Sequence, residues 1–299
     1  MKAAALKTLL SFSCAALAAI PGGLLRAANG PAQLPEARAA VPGAAPAPAG
    51  DEAAAIRAHH LKRLNARLTV APATLEKSCR YESDIATAPP LNRVALTFDD
   101  GPTPDGTEHI LAVLRKYNIS ATFFMIGEKA KRYPELVAKV RAAGHGVIAN
   151  HSWNHPNFHD ILPAAQADEV LRDDALFTDK GPKLFRYPYG NSTCETNDLL
   201  REHGYKIAGW HIDSCDWAYD KNGAIDVREA ISCGVPAQYR ADYVGHVIAA
   251  ARARKGGIIL MHEIHPNTLS RLDTIVDGLL AAGFVFGTIT DVDFAPSLR

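Results

Sequence analysis

Five short segments of this 299-residue chain carry side chains suited to chemistry, each at or just after an apolar run. They are Asp99 and Asp100 in LTFDDGP, His151 and His155 in HSWNHP, Arg186 in RYPYG, Asp213, Asp216 and Trp217 in DSCDW, and His262 in LMHEIHP. Two like charges side by side where a buried strand opens into a loop ask for a cation or a base nearby. Neighbouring side chains on an extended strand point to opposite faces, so Asp99 and Asp100 need not share one site. His151 and His155 are four residues apart, a spacing at which one helical turn brings both rings onto one face, with Pro156 ending the turn. That spacing alone fits surface or core histidines equally well. Asp100 at the same end of the fold changes the reading, because two neutral imidazoles and a carboxylate leave positions open for water and a substrate oxygen. Such a donor set suits a catalytic metal site rather than a closed structural one.

Bringing these segments together requires a particular kind of fold. From Arg93 onward, β-rich runs at 94–98, 121–127, 146–150, 183–187, 206–212, 256–261 and 285–289 alternate with helical patterns at 107–117, 134–143, 164–177, 195–203, 240–254 and 268–282. Seven strands separated by helices imply parallel pairing with right-handed crossovers, in a barrel or an open doubly wound sheet. In both architectures ligands meet the carboxyl ends of the strands, where the five segments fall. A hydrophobic content of 47% supplies a sizeable core, and 32 basic residues balanced by 32 acidic ones give no field that favours nucleic acid.

The N-terminal third reads differently. Residues 1–26 have the Lys-bearing start and short apolar run of a signal peptide, with Ala16-Leu17-Ala18 as a cleavage site, which predicts an exported protein, periplasmic or secreted. The apolar run is too short to span a bilayer, so no stable membrane insertion is expected after cleavage. Residues 27–51, nearly all Ala, Pro and Gly, read as a linker; 52–92 as a helical extension with Ile56, Leu61, Leu64 and Leu68 near one face; and 93–299 as the catalytic domain. Cleavage would leave Cys79, Cys194, Cys215 and Cys233, an even number that suggests disulfides, with Cys215 and Cys233 the favoured pair because they bracket a polar loop.

Five motifs in order, TFDDGP at 97–102, HSWNH at 151–155, RYPYG at 186–190, DSCDW at 213–217 and LMH at 260–262, make residues 93–290 resemble the polysaccharide deacetylases of the NodB-homology, carbohydrate esterase family 4 group. The resemblance implies a distorted (β/α)7 barrel. It implies that Asp100, His151 and His155 hold one divalent metal ion, with zinc fitting best and cobalt, nickel or manganese as alternatives, while Asp99 is the general base and His262 the general acid. Arg186 is expected to pair with Asp99, and Asp216 with His262. The backbone N–H of Tyr189 is expected to stabilise the oxyanion, and Trp217 and Leu260 to wall the acetyl methyl. The expected substrate is an N-acetylated polysaccharide or oligosaccharide, peptidoglycan- or chitin-like. The alternatives are an O-acetyl esterase on xylan-type glycans and a carbohydrate-binding protein without turnover. Two residues depart from the family pattern: Glu263 stands where Asp is commoner, and Cys215 lies inside the fourth motif.

Overall fold

A curled sheet of parallel strands dominates the structure, a computed structural model that describes residues 79–172, 174–177 and 182–299, together with Ala58. The expected signal peptide at 1–26, the linker at 27–51 and, Ala58 excepted, residues 52–78 of the expected helical extension lie outside the described residues. The strands are β1 (Arg93–Gly101), β2 (Ala121–Met125), β3 (Gly146–Asn150), β4 (Lys183–Phe185), β5 (Tyr205–Ile207), β6 (Ile212–Asp213), β7 (Gly257–His262) and β8 (Val285–Gly287). Their order across the sheet is β5-β4-β3-β2-β1-β7-β6, and β8 pairs with the start of β1.

The single strand expected over 206–212 is in fact two, and this difference explains the curvature. β5 and β6 stand at opposite ends of the sheet order, yet only residues 208–211 join them. Four residues reach about 14 Å at most, so the two ends must curl round to meet. The chain breaks from strand geometry at Gly209, where a Cβ would overlap the Ser83 carbonyl.

The seam is filled by both ends of the described chain. Ile85 N donates to Trp210 O at 2.9 Å and Trp210 N to Ser83 O at 2.8 Å, while Ile207 exchanges backbone hydrogen bonds with Arg299 at 2.8 and 3.1 Å. Residues 79–92, assigned from sequence to a helical extension over 52–92, are therefore non-helical and belong to the barrel wall. Their pattern has no long periodic run, and covering unpaired sheet edges is what they do.

Nine helices are described, α1 (Gly106–Tyr117), α2 (Gly127–Arg132), α3 (Pro134–Ala143), α4 (Pro163–Leu171), α5 (Asp174–Phe177), α6 (Cys194–Glu202), α7 (Val227–Cys233), α8 (Tyr243–Arg254) and α9 (Pro266–Ala281). The helix expected over 164–177 is the pair α4 and α5, while α2 and α7 are too short to show a period. The long helices start and stop on local chemistry: Pro134, Pro163 and Pro266 occupy first turns, and α3 ends on Gly144 at φ 70°. Among the described residues no helix is long and apolar enough to cross a membrane. Disulfides link Cys79 to Cys194 and, as expected, Cys215 to Cys233.

Strand parity sorts the core into two faces and sets up the site. On β1, Val94, Leu96 and Phe98 pack outward with Ile110, Leu111 and Leu114 of α1 and Leu272, Ile275 and Val276 of α9. Ala95, on the other parity, packs inside the barrel with Phe124, Ala149, Leu184, Ile258 and Leu260. Two-residue steps along that inner parity lead from Ala95 through Thr97 to Asp99, from Ile258 through Leu260 to His262, from Ala149 to His151 and from Leu184 to Arg186. The interior apolar column thus ends at the carboxyl mouth in a ring of polar groups.

Candidate active site

Asp99 and Asp100 share one site, contrary to the expectation from strand alternation. β1 carries a bulge: Asp99 faces Phe124 and Gly101 faces Met125, so Asp100 is the extra residue, at φ 72°. A bulge of this kind re-aims a side chain. His151 Nε2 consequently lies 3.6 Å from Asp99 Oδ2 and 3.5 Å from Asp100 Oδ1, and His155 Nε2 lies 3.2 Å from the same Asp100 oxygen.

The two imidazoles meet, with ring centroids 4.8 Å apart, but no helical turn brings them there. Residues 151–155 form an irregular turn in which Ser152 and His155 have φ of 69° and 62°. Pro156 excludes the helical alternative, since the residue before a proline disfavours the α region. Five of the eight non-glycine residues with positive φ among those described, Asp100, Ser152, His155, Tyr189 and Cys215, sit in four of the five motifs. Each such conformation costs about 1 kcal/mol and persists only where its surroundings enforce it.

The donor set fits a divalent cation. Asp100 is fully buried and neither carboxylate oxygen accepts a hydrogen bond. Burial would raise its pKa, but His155, His151 and His262 hold the carboxyl well below its usual range. His155 is pushed down to about 3 by burial and by its cationic neighbours, so it is a neutral imidazole at neutral pH. His151 Nδ1 lies 2.8 Å from the Arg186 carbonyl, which can only accept, so Nδ1 carries a proton and Nε2 is the ring nitrogen that faces the aspartates. Ligand atoms of Asp100, His151 and His155 all lie within 4.8 Å of one another.

Around that core sit a buried carboxylate, Asp99, and a buried imidazole, His262, with opposite supports. Arg186, with no exposed surface, donates from Nη1 to Asp99 Oδ1 at 2.8 Å and to Thr97 Oγ1 at 2.7 Å, from Nε to Ala208 O at 3.1 Å and from Nη2 to Gly209 O at 2.9 Å. Its guanidinium also lies over the Phe124 ring, 4.1 Å from the centroid. On the other side, His262 Nδ1 donates to Asp216 Oδ1 at 2.8 Å, and Asp216 Oδ2 accepts from His262 N at 2.7 Å and from Thr268 Oγ1 at 2.5 Å. Burial works against charge on His262, yet Asp216 first, then Asp100 and Asp99, raise it to about 10. Asp216 itself, against its burial, is lowered mainly by His262.

Other expected residues take varied places. The Tyr189 ring stands edge-on to His155 at 4.7 Å, in a turn with Tyr189 at φ 58°. Trp217 donates from Nε1 to Asp213 Oδ1 at 3.2 Å and packs in the outer core, whereas Leu260 packs in the barrel interior. Several supporting residues escaped the sequence reading. Thr97 bridges Arg186 to Ile259 O, and its signal was a hydroxyl on the inner parity of an apolar strand. His211, which lies outside the five motifs, accepts from Ile258 N at 3.0 Å.

Glu263 explains its departure from the family pattern by its reach. It is buried, and Oε1 accepts from Thr103 N at 2.7 Å, Thr103 Oγ1 at 3.0 Å and Thr107 Oγ1 at 2.8 Å, anchoring the loop that follows the two aspartates. A Cβ on Gly101 would overlap this carboxylate. Gly101→Ala is therefore expected to cost about 1–3 kcal/mol in urea unfolding and to lower activity by displacing Asp100; unchanged stability and turnover would contradict the anchoring role.

Comparison with known proteins agrees with this geometry. The polysaccharide deacetylase family model matches residues 87–208. The chain is 32% identical over 203 residues to the peptidoglycan-N-acetylglucosamine deacetylase PgdA of Listeria monocytogenes, covering 67% of this chain but only 38% of that relative. A peptidoglycan-N-acetylglucosamine deacetylase of Bacillus cereus is 33% identical over 211 residues, 67% of this chain and 87% of the relative. A family 4 carbohydrate esterase from Streptomyces lividans, solved in complex with acetate, superposes with a TM-score of 0.53 at 31% identity, over 66% of this chain and 92% of that one. The curled parallel sheet, the ordered motifs and these likenesses together show that the chain belongs to the polysaccharide deacetylase family.

Proposed function

We propose that the protein is an exported, metal-dependent hydrolase that removes acetyl groups from N-acetylated sugars of a peptidoglycan- or chitin-like glycan. The observation that carries this reading is the buried Asp100 carboxylate, without a hydrogen bond, facing two imidazole nitrogens. Asp100, His151 and His155 would hold one divalent ion, with zinc the natural fit to two nitrogens and an oxygen. Bound there, the ion supplies Lewis-acid activation of water and of the acetyl carbonyl.

The chain's own groups do the rest. Asp99, oriented through Oδ1 by Arg186, accepts the proton of the attacking water on Oδ2. His262, held by Asp216 through Nδ1, donates from its other ring nitrogen to the leaving amine. The Tyr189 backbone N–H is assigned to the developing oxyanion, and Trp217 and Leu260 to the acetyl pocket. Export is supported by the signal-like residues 1–26 and by two disulfides, which suit an oxidising compartment.

Acetate release from N-acetylglucosamine oligomers and from peptidoglycan tests the proposal. Activity should vanish after chelation and return with zinc. Full activity in metal-free protein would overturn the mechanism, and release only from O-acetylated xylan would overturn the substrate class.

A further inference from the structure

The turn that presents His151 and His155 is irregular, so its amides lack the ladder a helix would provide. Those of Ser152, Asn154 and His155 nonetheless have side-chain acceptors. Ser152 N donates to Asn150 Oδ1 at 2.8 Å and His155 N to Ser152 Oγ at 3.0 Å. Asn154 N donates to Glu169 Oε2 at 2.9 Å, and the Trp153 amide, like that of Asn154, favours the charged carboxylate against the burial that raises its pKa. With its side-chain amide oriented nitrogen-inward, Asn154 also donates to both Glu169 oxygens at 2.8 and 3.2 Å.

Glu169 lies on α4, 7% exposed, on the face that also buries Gln166 and Val170. The adjacent Val170 carbonyl accepts from Asn150 Nδ2 at 2.9 Å, so α4 grips both the end of β3 and the turn that follows. Consecutive N–H groups beside a left-handed residue form a concave anion-binding nest. A carboxylate, with two oxygens, fills that nest where a single carbonyl would not.

We propose that Glu169 is a positioning residue for the metal site: by clamping the 152–155 turn it sets the separation and aim of the two imidazoles. It touches neither metal nor substrate, and it acts through the backbone that carries both histidines. This inference rests on the metal-dependent reading above. In metal sites, partners one step beyond the ligands typically contribute 10–100-fold to affinity.

Titration of the metal-free full chain with cobalt(II), followed by its visible absorption and by competition with a chromophoric chelator, tests it without substrate. Glu169→Ala should weaken cobalt binding by about tenfold or more and alter the absorption envelope, and Glu169→Gln, which keeps the volume and one acceptor, by less. Gln166→Ala provides the control one turn earlier on α4, where the side chain donates to Phe158 O and Ile161 O. It should lower Tm yet leave cobalt affinity unchanged. Should Glu169→Ala fail to fold, the Gln variant carries the measurement. Affinity within twofold of wild type for the folded Glu169 variants, or an equal loss in Gln166→Ala, overturns the positioning role alone. Failure of wild type to bind cobalt overturns the metal-dependent reading and this inference with it. Weakened binding in a protein that releases no acetate supports the positioning role and removes only the substrate reading.

Discussion

Replacing Asp99 with asparagine should lower kcat by about two to four orders of magnitude while leaving the divalent ion bound, the signature of losing a general base rather than a ligand. The structure makes the distinction because the paired aspartates have different supports. Asp100 faces two imidazoles and accepts no hydrogen bond, whereas Asp99 is bonded to Arg186. Asparagine at 99 also leaves a buried guanidinium without its counter-charge, and breaking such a pair costs about 3–5 kcal/mol. Thr97 Oγ1, Ala208 O and Gly209 O still receive Arg186, so the fold should survive at reduced stability. Metal content by atomic absorption and kcat from acetate release check both halves. Near-normal kcat with metal bound would show that another group takes the proton.

Asp216→Asn should move the alkaline limb of kcat/KM to lower pH. A general acid must be protonated, so activity falls as pH rises through the acid's pKa. His262 is raised to about 10 chiefly by the Asp216 carboxylate, working against burial, so losing that charge lets burial dominate and the limb arrives earlier. Stability should follow the same sign. A histidine whose folded pKa lies above its unfolded value near 6.5 stabilises fully below that value and loses the contribution as pH rises toward 10. The wild-type protein should therefore lose stability over that window by an amount the variant does not show. An unmoved alkaline limb in Asp216→Asn would separate His262 from the acid role, since the Asp216 carboxylate is what meets its Nδ1.

Residues whose parity and element ends are local properties were legible in the sequence. Asp99, His151, Arg186 and His262 were placed at one mouth because each follows an apolar run by a fixed step, and the structure shows them on one inner face. What was not legible depends on the backbone leaving its regular path. The bulge at Asp100 defeats simple alternation, and the turn at Ser152 replaces the helical spacing. Short elements failed for a related reason: β6 has two residues and α7 seven, too few to display a period. Glu169 was invisible, and Glu263 stood out only as a departure from the family pattern, because a buried glutamate that caps someone else's backbone reads, from sequence alone, as one more charge on a solvated face.

Arg186 holds more than the base. Two of its four acceptors, the carbonyls of Ala208 and Gly209, belong to the short connection where the two ends of the sheet meet. One guanidinium therefore buckles the girdle of the barrel and tethers the Asp99 carboxylate in the same act. A laboratory selection for heat tolerance at this junction would also screen for catalytic competence. Conversely, a descendant that discarded Asp99 would leave this guanidinium to three neutral oxygens at the point where the ring is fastened, a looser clasp on the same seam.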